Sequence, residues 1–234
     1  DNLRLTSKQY VILIKGVEAG KGELKPSRLL AMNASGAAQS GGDLAGETTQ
    51  EPAFGLPALW ISTGDRERAE TLGYTVVDPE TVLITHISEL VKRYAPELLT
   101  RQDVQRLLDG LAKENPKVVE ELIPHHLTLG GVQKVLQNLL REEVPIRDLL
   151  TVVETLADYA PTIKDTDELT EHVRQALART ITSAYRSPDG LIPVMTFDAH
   201  IERMIRDRHQ EGLSLEPQAA QRIMTAVQQS VESF

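Results

Sequence analysis

Apolar positions along this chain change their spacing near Asp78. Before it they come in short bursts broken by glycines, and after it they recur every three or four residues. Tyr10 to Ile14 reads Tyr-Val-Ile-Leu-Ile, the β-branched and aromatic mix that suits a strand. Gly16, Gly20 and Gly22 follow and read as a hairpin turn region. Arg28 to Met32 is expected to form a second strand, and Phe54 to Ile61, with Trp60 near its end, a third. Residues 33–50 are rich in Ala, Ser, Gly and Thr with little apolar bulk, and read as a loop. Ser62 followed by Asp65 has capping-box form, so a helix is expected to run to about Leu72, where Gly73 stops it. Tyr74 to Val77 ends this part as a short buried strand.

Asp78-Pro79 opens the helical part, with Asp as N-cap and Pro at the first helical position. Val82, Leu83, Ile87, Leu90, Val91 and Tyr94 lie at helical spacing. Thr100 and Asp103 form another capping box ahead of Val104, Leu107, Leu108 and Leu111. The clearest amphipathic stripe is Leu129, Val132, Val135, Leu136, Leu139 and Leu140, and Ile146 to Leu156 carries another. Asp165 and Glu168 box the start of a long helix reaching about Tyr185. Ser187-Pro188-Asp189-Gly190 is a turn, Leu191 to Phe197 a strand candidate, and helices over 198–210 and 215–231 close the chain. Strands gathered early and helices late make the fold class α+β, with mixed β/α structure in the N-terminal part and mostly helical modules after it.

Composition narrows the function. The formal net charge is -9, from 25 basic and 34 acidic residues, so binding nucleic acid through its phosphates is not expected. The absence of cysteine excludes disulfides, a thiol nucleophile and thiolate metal sites. One Trp, five Tyr and three Phe are too few for a base-stacking platform. No apolar run approaches the ~20 residues of a membrane helix.

Residues 16–22 read Gly-Val-Glu-Ala-Gly-Lys-Gly after a strand, which invites comparison with a phosphate-binding loop. The glycines stand one residue too close, Gly22 replaces the magnesium-holding hydroxyl, and no helix follows, so a hairpin turn fits better. The second Gly-rich stretch, 35–46, has neither Lys nor a following helix and reads as a loop. His125 and His126 point about 100° apart on a helix and suit a shared metal poorly. His86, His172, His200 and His209 lack a second ligand at helical spacing and default to surface or capped positions. No serine sits in a Gly-x-Ser-x-Gly elbow. No enzymatic activity, metal or cofactor is therefore expected.

Several stretches together resemble one family. They include Ile14-Lys15-Gly16-Val17-Glu18, the run Glu51-Pro52-Ala53-Phe54-Gly55-Leu56-Pro57-Ala58-Leu59-Trp60-Ile61, and Gly73-Tyr74-Thr75-Val76-Val77-Asp78-Pro79. Thr81 to His86, Glu97 to Gln102, Lys134 to Leu140 and Val144 to Leu149 extend the likeness, which weakens after about 187. In order and spacing they are similar to the C-terminal cytoplasmic region of the FlhA family, the export gate of flagellar type III secretion.

The resemblance implies a membrane-anchored parent on the cytoplasmic side of the bacterial inner membrane. It implies a homononameric ring in the intact protein. It also implies partners: flagellar export chaperones with bound substrates and other export-apparatus proteins, a separate one of which hydrolyses nucleotide. The subdomains implied are 1–26 with 79–98, a first subdomain whose upstream part is missing; an α/β insertion over 27–78; a helical subdomain over 99–186; and an α/β subdomain over 187–234. The family's chaperone-binding dimple maps onto Glu51, Phe54, Leu56, Val77, Val82 and Thr85. Phe54 and Leu56 would share one face of a strand, and Val82 and Thr85 one face of a helix. Many relatives carry Asp where this chain has Glu51. Two other readings stand beside this one: the injectisome counterpart handling virulence substrates, and a purely structural ring component. For Val77 and Val82, packing in the core competes with a binding role.

Overall fold

The Tyr10–Ile14 burst and the glycines after it form a hairpin in the computed structural model, which describes residue 5 and residues 8–33, 44–210, 212 and 214–233. Strands β1 (Gln9–Ile14) and β2 (Val17–Glu23) pair antiparallel. Their turn is Lys15–Gly16, both in the left-handed region (φ 50° and 83°). Gly20 and Gly22 lie within β2 rather than in the turn. There is no phosphate loop: the segment that resembled one is strand, and Lys21 pairs with Glu18 at 3.3 Å.

A second sheet has the order β4-β5-β3-β6, all neighbours antiparallel, from β3 (Arg28–Met32), β4 (Glu47–Gln50), β5 (Pro57–Ser62) and β6 (Thr75–Val77). Successive side chains of a strand alternate between faces. Here Leu29, Ala31 and Ile61 bury one face against Ala69 of α1 (Arg66–Thr71). Leu30, Ala58 and Trp60 bury the other against Val82 of α2 (Pro79–Leu98). Burial on both faces explains why β3 reads as an unbroken apolar run.

Helix α2 starts where Asp78 accepts a hydrogen bond from Thr81 N at 2.7 Å, which holds its carboxyl below the usual range. Beyond it lie α3 (Arg101–Ala112), α4 (Pro116–Leu122), α5 (Leu129–Arg141), α6 (Leu149–Tyr159) and α7 (Thr166–Ala176). The Thr100–Asp103 capping box forms as read. Their apolar stripes meet in one core that includes Leu108, Leu122, Leu136, Leu139, Leu156 and Leu169. Gln133 and Gln137 of α5 donate to Leu99 O (2.8 Å) and Pro96 O (2.9 Å), satisfying carbonyls at the end of α2. Helix α8 (Ala178–Tyr185) follows, then α9 (Ala199–Gln210) and α10 (Pro217–Ser233). The chain divides into two compact units, Asp1–Ile181 and Thr182–Phe234.

Several expectations need correction. The loop expected over 33–50 contains β4, whose Glu-Thr-Thr-Gln sequence has no apolar alternation and becomes strand only through pairing with β5; residues 34–43 lie outside the described residues. The strand expected from Phe54 starts at Pro57, because residues 51–56 are taken up by a turn. Ser62 does not cap the backbone: its hydroxyl bonds the Asp65 carboxylate at 2.9 Å, and a 3-10 turn (Thr63–Asp65) precedes α1. The helix expected to reach Tyr185 is interrupted at Leu177 (ψ 11°), whose side chain is buried in the helical core. Residues 191–197 form no strand; Pro193 interrupts them and no described strand lies beside them.

Candidate functional site

Between β4 and β5 the chain makes a tight, multiply bonded turn. Glu51 N donates to Leu56 O and Gly55 N to Glu51 O, both at 2.8 Å. The Glu51 side chain folds back, its Oε1 accepting from Ala53 N (2.9 Å) and its Oε2 from Phe54 N (2.7 Å). Gly55 has φ +70°, a conformation that costs a side-chain-bearing residue energy. The carboxylate is buried at 3% exposure, while Phe54 stands 60% exposed on the same turn. An ionised acceptor bonded to two backbone N–H groups is among the stronger local restraints available. Phe54 is thus an aromatic side chain displayed on a rigid turn.

The sequence-derived site residues fall into groups. Glu51, Phe54 and Leu56 share the turn, with Leu56 half-buried and off any strand, so it does not alternate with Phe54 along one. Val82 is 2% exposed and Val77 packs beside it against Leu30 and Trp60, which makes both part of the sheet–helix core. Thr85 is half-buried on α2, one turn beyond Val82.

Sequence reading missed a buried polar contact behind this turn. His86 is buried, not at the surface, and Tyr10 Oη lies 2.7 Å from its Nδ1. The contact ties the hairpin to α2. Gly20 makes room for it: a Cβ there would come within 2.7 Å of His86 Nε2 and of Leu90 Cδ1. Glycine inside a strand is the available signal, since it marks close approach of another group. Burial, with a smaller contribution from the Glu51 charge, pushes the Tyr10 hydroxyl up to about 12. Burial pulls His86 below the ordinary histidine value; Glu51 opposes this and Arg93 adds to it.

This depression has a pH consequence. The unfolded chain binds a proton at His86 more readily than the folded one does. The neutral-state stability is therefore complete above the ordinary value of about 6.5 and drains away as pH falls through it. Urea denaturation between about pH 8 and 5 is expected to show falling stability. The slope should flatten in His86→Gln.

A cleft of about 560 Å³ opens beside Glu51, lined on one side by β2 and on the other by β4, with Leu30 and Trp60 among its lining residues. Pro52 and Gly55, which flank Phe54 in the turn, also line it. Lys25 links the two strands, reaching Glu23 at 3.9 Å and bonding the Glu47 carboxylate closely. That bond holds Glu47 below the usual carboxylate range. Among the described residues, no cluster of three or more His, Asp or Glu side chains is placed to hold a metal ion. No described helix is long and apolar enough to cross a membrane.

The FHIPEP family model matches residues 1–234, the full length of the chain. The chain belongs to the FHIPEP family. Among FHIPEP relatives, the flagellar biosynthesis protein FlhA of Yersinia enterocolitica is 46% identical over 232 residues, which are 99% of this chain and 33% of that protein. The chain thus spans about a third of the length of the curated relatives it matches. A solved structure of the Chlamydia pneumoniae CdsV protein superposes with a TM-score of 0.80 at 26% identity, covering 97% of this chain and 66% of that one. The structure of the Chlamydia pneumoniae CdsV and CdsO protein complex matches with a TM-score of 0.78 at 29% identity, covering 98% and 68%. These likenesses agree with the FlhA resemblance read from the residues and with the α+β fold class.

Proposed function

We propose that this chain is part of a flagellar type III export gate and docks export chaperones carrying their substrates. It acts by binding, not by catalysis. The parent is membrane-anchored on the cytoplasmic side of the inner membrane, assembles as a homononameric ring and meets other export-apparatus proteins. The observation that carries the reading is Phe54, exposed on a turn whose backbone N–H groups at Ala53 and Phe54 are bonded by the buried Glu51 carboxylate. An exposed aromatic on a rigid support loses little entropy on binding and is typical of an interface anchor. Identity of 46% to a flagellar protein, against 26% to CdsV, supports the flagellar over the injectisome branch.

Calorimetric titration of a flagellar chaperone–substrate complex into the chain tests this. Phe54→Ala is expected to weaken binding at least about 30-fold, because truncating an interface anchor costs ~2 kcal/mol or more. Unchanged affinity would favour a purely structural ring component. The same titration with an injectisome chaperone is expected to give no binding.

A further inference from the structure

We propose that the cleft between β2 and β4 takes an extended backbone segment of the docked protein complex, which adds to β4 as a further strand. The inference rests on the docking function proposed above and deepens it: Phe54 anchors the partner, and the adjacent strand edge reads its main chain.

The hydrogen-bond register decides which backbone groups of β4 face outward. Antiparallel neighbours alternate between bonded and non-bonded pairs. Glu51 N donates to Leu56 O, so the Glu51–Leu56 pair is bonded. Counting back along the register, Gln50–Pro57 is non-bonded, Thr49–Ala58 bonded and Thr48–Leu59 non-bonded. Pro57, which has no N–H, falls where none is needed. Thr48 and Gln50 therefore turn their backbone N–H and C=O groups away from β5, toward the outer edge. Among the described residues no strand pairs with that edge.

The opposite wall has the same character. Leu24 N donates to Lys8 O, so Gln9–Glu23 is non-bonded, Tyr10–Gly22 bonded and Val11–Lys21 non-bonded. Glu23 and Lys21 thus direct their backbone groups away from β1, and both line the cleft. An open strand edge is a template for another strand, and extended peptides bind such edges through main-chain bonds. The four residues of β4 offer a bed for about four residues at ~3.3 Å each. The lining is mixed: Lys21, Glu23, Thr48, Thr49 and Gln50 share it with Leu30, Pro52 and Trp60, which suits an extended segment carrying both polar and apolar side chains. The cleft runs directly into the turn that displays Phe54, so a partner anchored there has its adjoining chain within reach of the edge.

Hydrogen exchange and calorimetry on the same complex test the proposal. The probe is a flagellar export chaperone purified with its bound substrate. Exchange at the Thr48 and Gln50 amides is expected to slow at least about tenfold on binding, while the ladder amide of Thr49 changes little. Thr48→Pro removes an outward N–H without removing a bond to β5, and is expected to weaken binding about tenfold. Thr48→Val keeps the N–H and loses only the hydroxyl, so it is expected to weaken binding less than Thr48→Pro does. Thermal melting of both variants reports whether the sheet is intact, and the exchange measurement on the wild type does not depend on them. If Phe54→Ala abolishes binding while exchange at Thr48 and Gln50 is the same free and bound, strand addition is overturned and docking stands. If the chain does not bind the complex, or Phe54→Ala binds unchanged, the docking reading itself fails. If both amides are already protected in a longer form of the parent before the probe is added, the cleft is filled by the parent's own chain and the proposal is overturned.

Discussion

Leu139→Ala is expected to lower the unfolding free energy by about 2–5 kcal/mol, measured by urea denaturation with an unchanged m-value. Leu139 lies on the buried face of α5 with no exposure, in the core built from α3 to α7. Truncation removes its favourable transfer from water and leaves a cavity that close-packed neighbours only partly fill. The main-chain bond from Val144 N to Leu139 O (2.9 Å) survives the truncation, so the loss is one of core packing. Total stabilities are about 5–15 kcal/mol, so a loss of this size threatens folding at moderate temperature. Leu107→Ala provides the contrast. That residue is 40% exposed on α3, and its loss should cost well under half as much. Equal effects from the two would mean that the helical core is not packed as described.

Glu51→Ala should act on stability and on docking together. It leaves the N–H groups of Ala53 and Phe54 without their acceptor, and losing a partner of this kind costs about 1–3 kcal/mol. The main-chain bonds Glu51 N to Leu56 O and Gly55 N to Glu51 O survive, so β4 and β5 remain paired. Phe54 then samples more conformations, and partner affinity falls although the aromatic ring is still present. Amide exchange at Ala53 and Phe54 should accelerate. Tyr10 gives an independent spectroscopic readout: with the Glu51 charge gone, its hydroxyl should titrate below its present value of about 12, though burial keeps it above the ordinary one. Glu51→Gln keeps one oxygen acceptor and should fall between wild type and alanine in both respects. An alanine variant with native affinity would show that the turn holds Phe54 without the carboxylate.

The stripe from Leu129 to Leu140, the Thr100–Asp103 box and the Asp78-Pro79 start are local signals, complete within a turn or two of helix, and each forms as read. The Ser62–Asp65 pair has the same signature but bonds side chain to side chain, because the chain there leaves a strand and enters a 3-10 turn. Of the candidate site, Phe54 and Glu51 were legible only through family resemblance. That Phe54 is displayed and Glu51 is buried follows from bonds that close the turn, and the turn moved the start of the expected strand from Phe54 to Pro57.

The sequence by itself determined where helices begin, which of their faces are apolar and that strands precede them, because these depend on spacing within a few residues. It also carried the family likeness, through ordered motifs spread over the chain. The tertiary structure alone decided that the polar Glu47–Gln50 becomes a strand, since it is pairing with β5 that holds its backbone extended. It decided that Val77 and Val82 face a common core, that the helix after Asp165 breaks at the buried Leu177, and that His86 is enclosed beside Tyr10 by a glycine 66 positions away in the chain. Each of these is set by contacts between residues distant in sequence, and no local period encodes them.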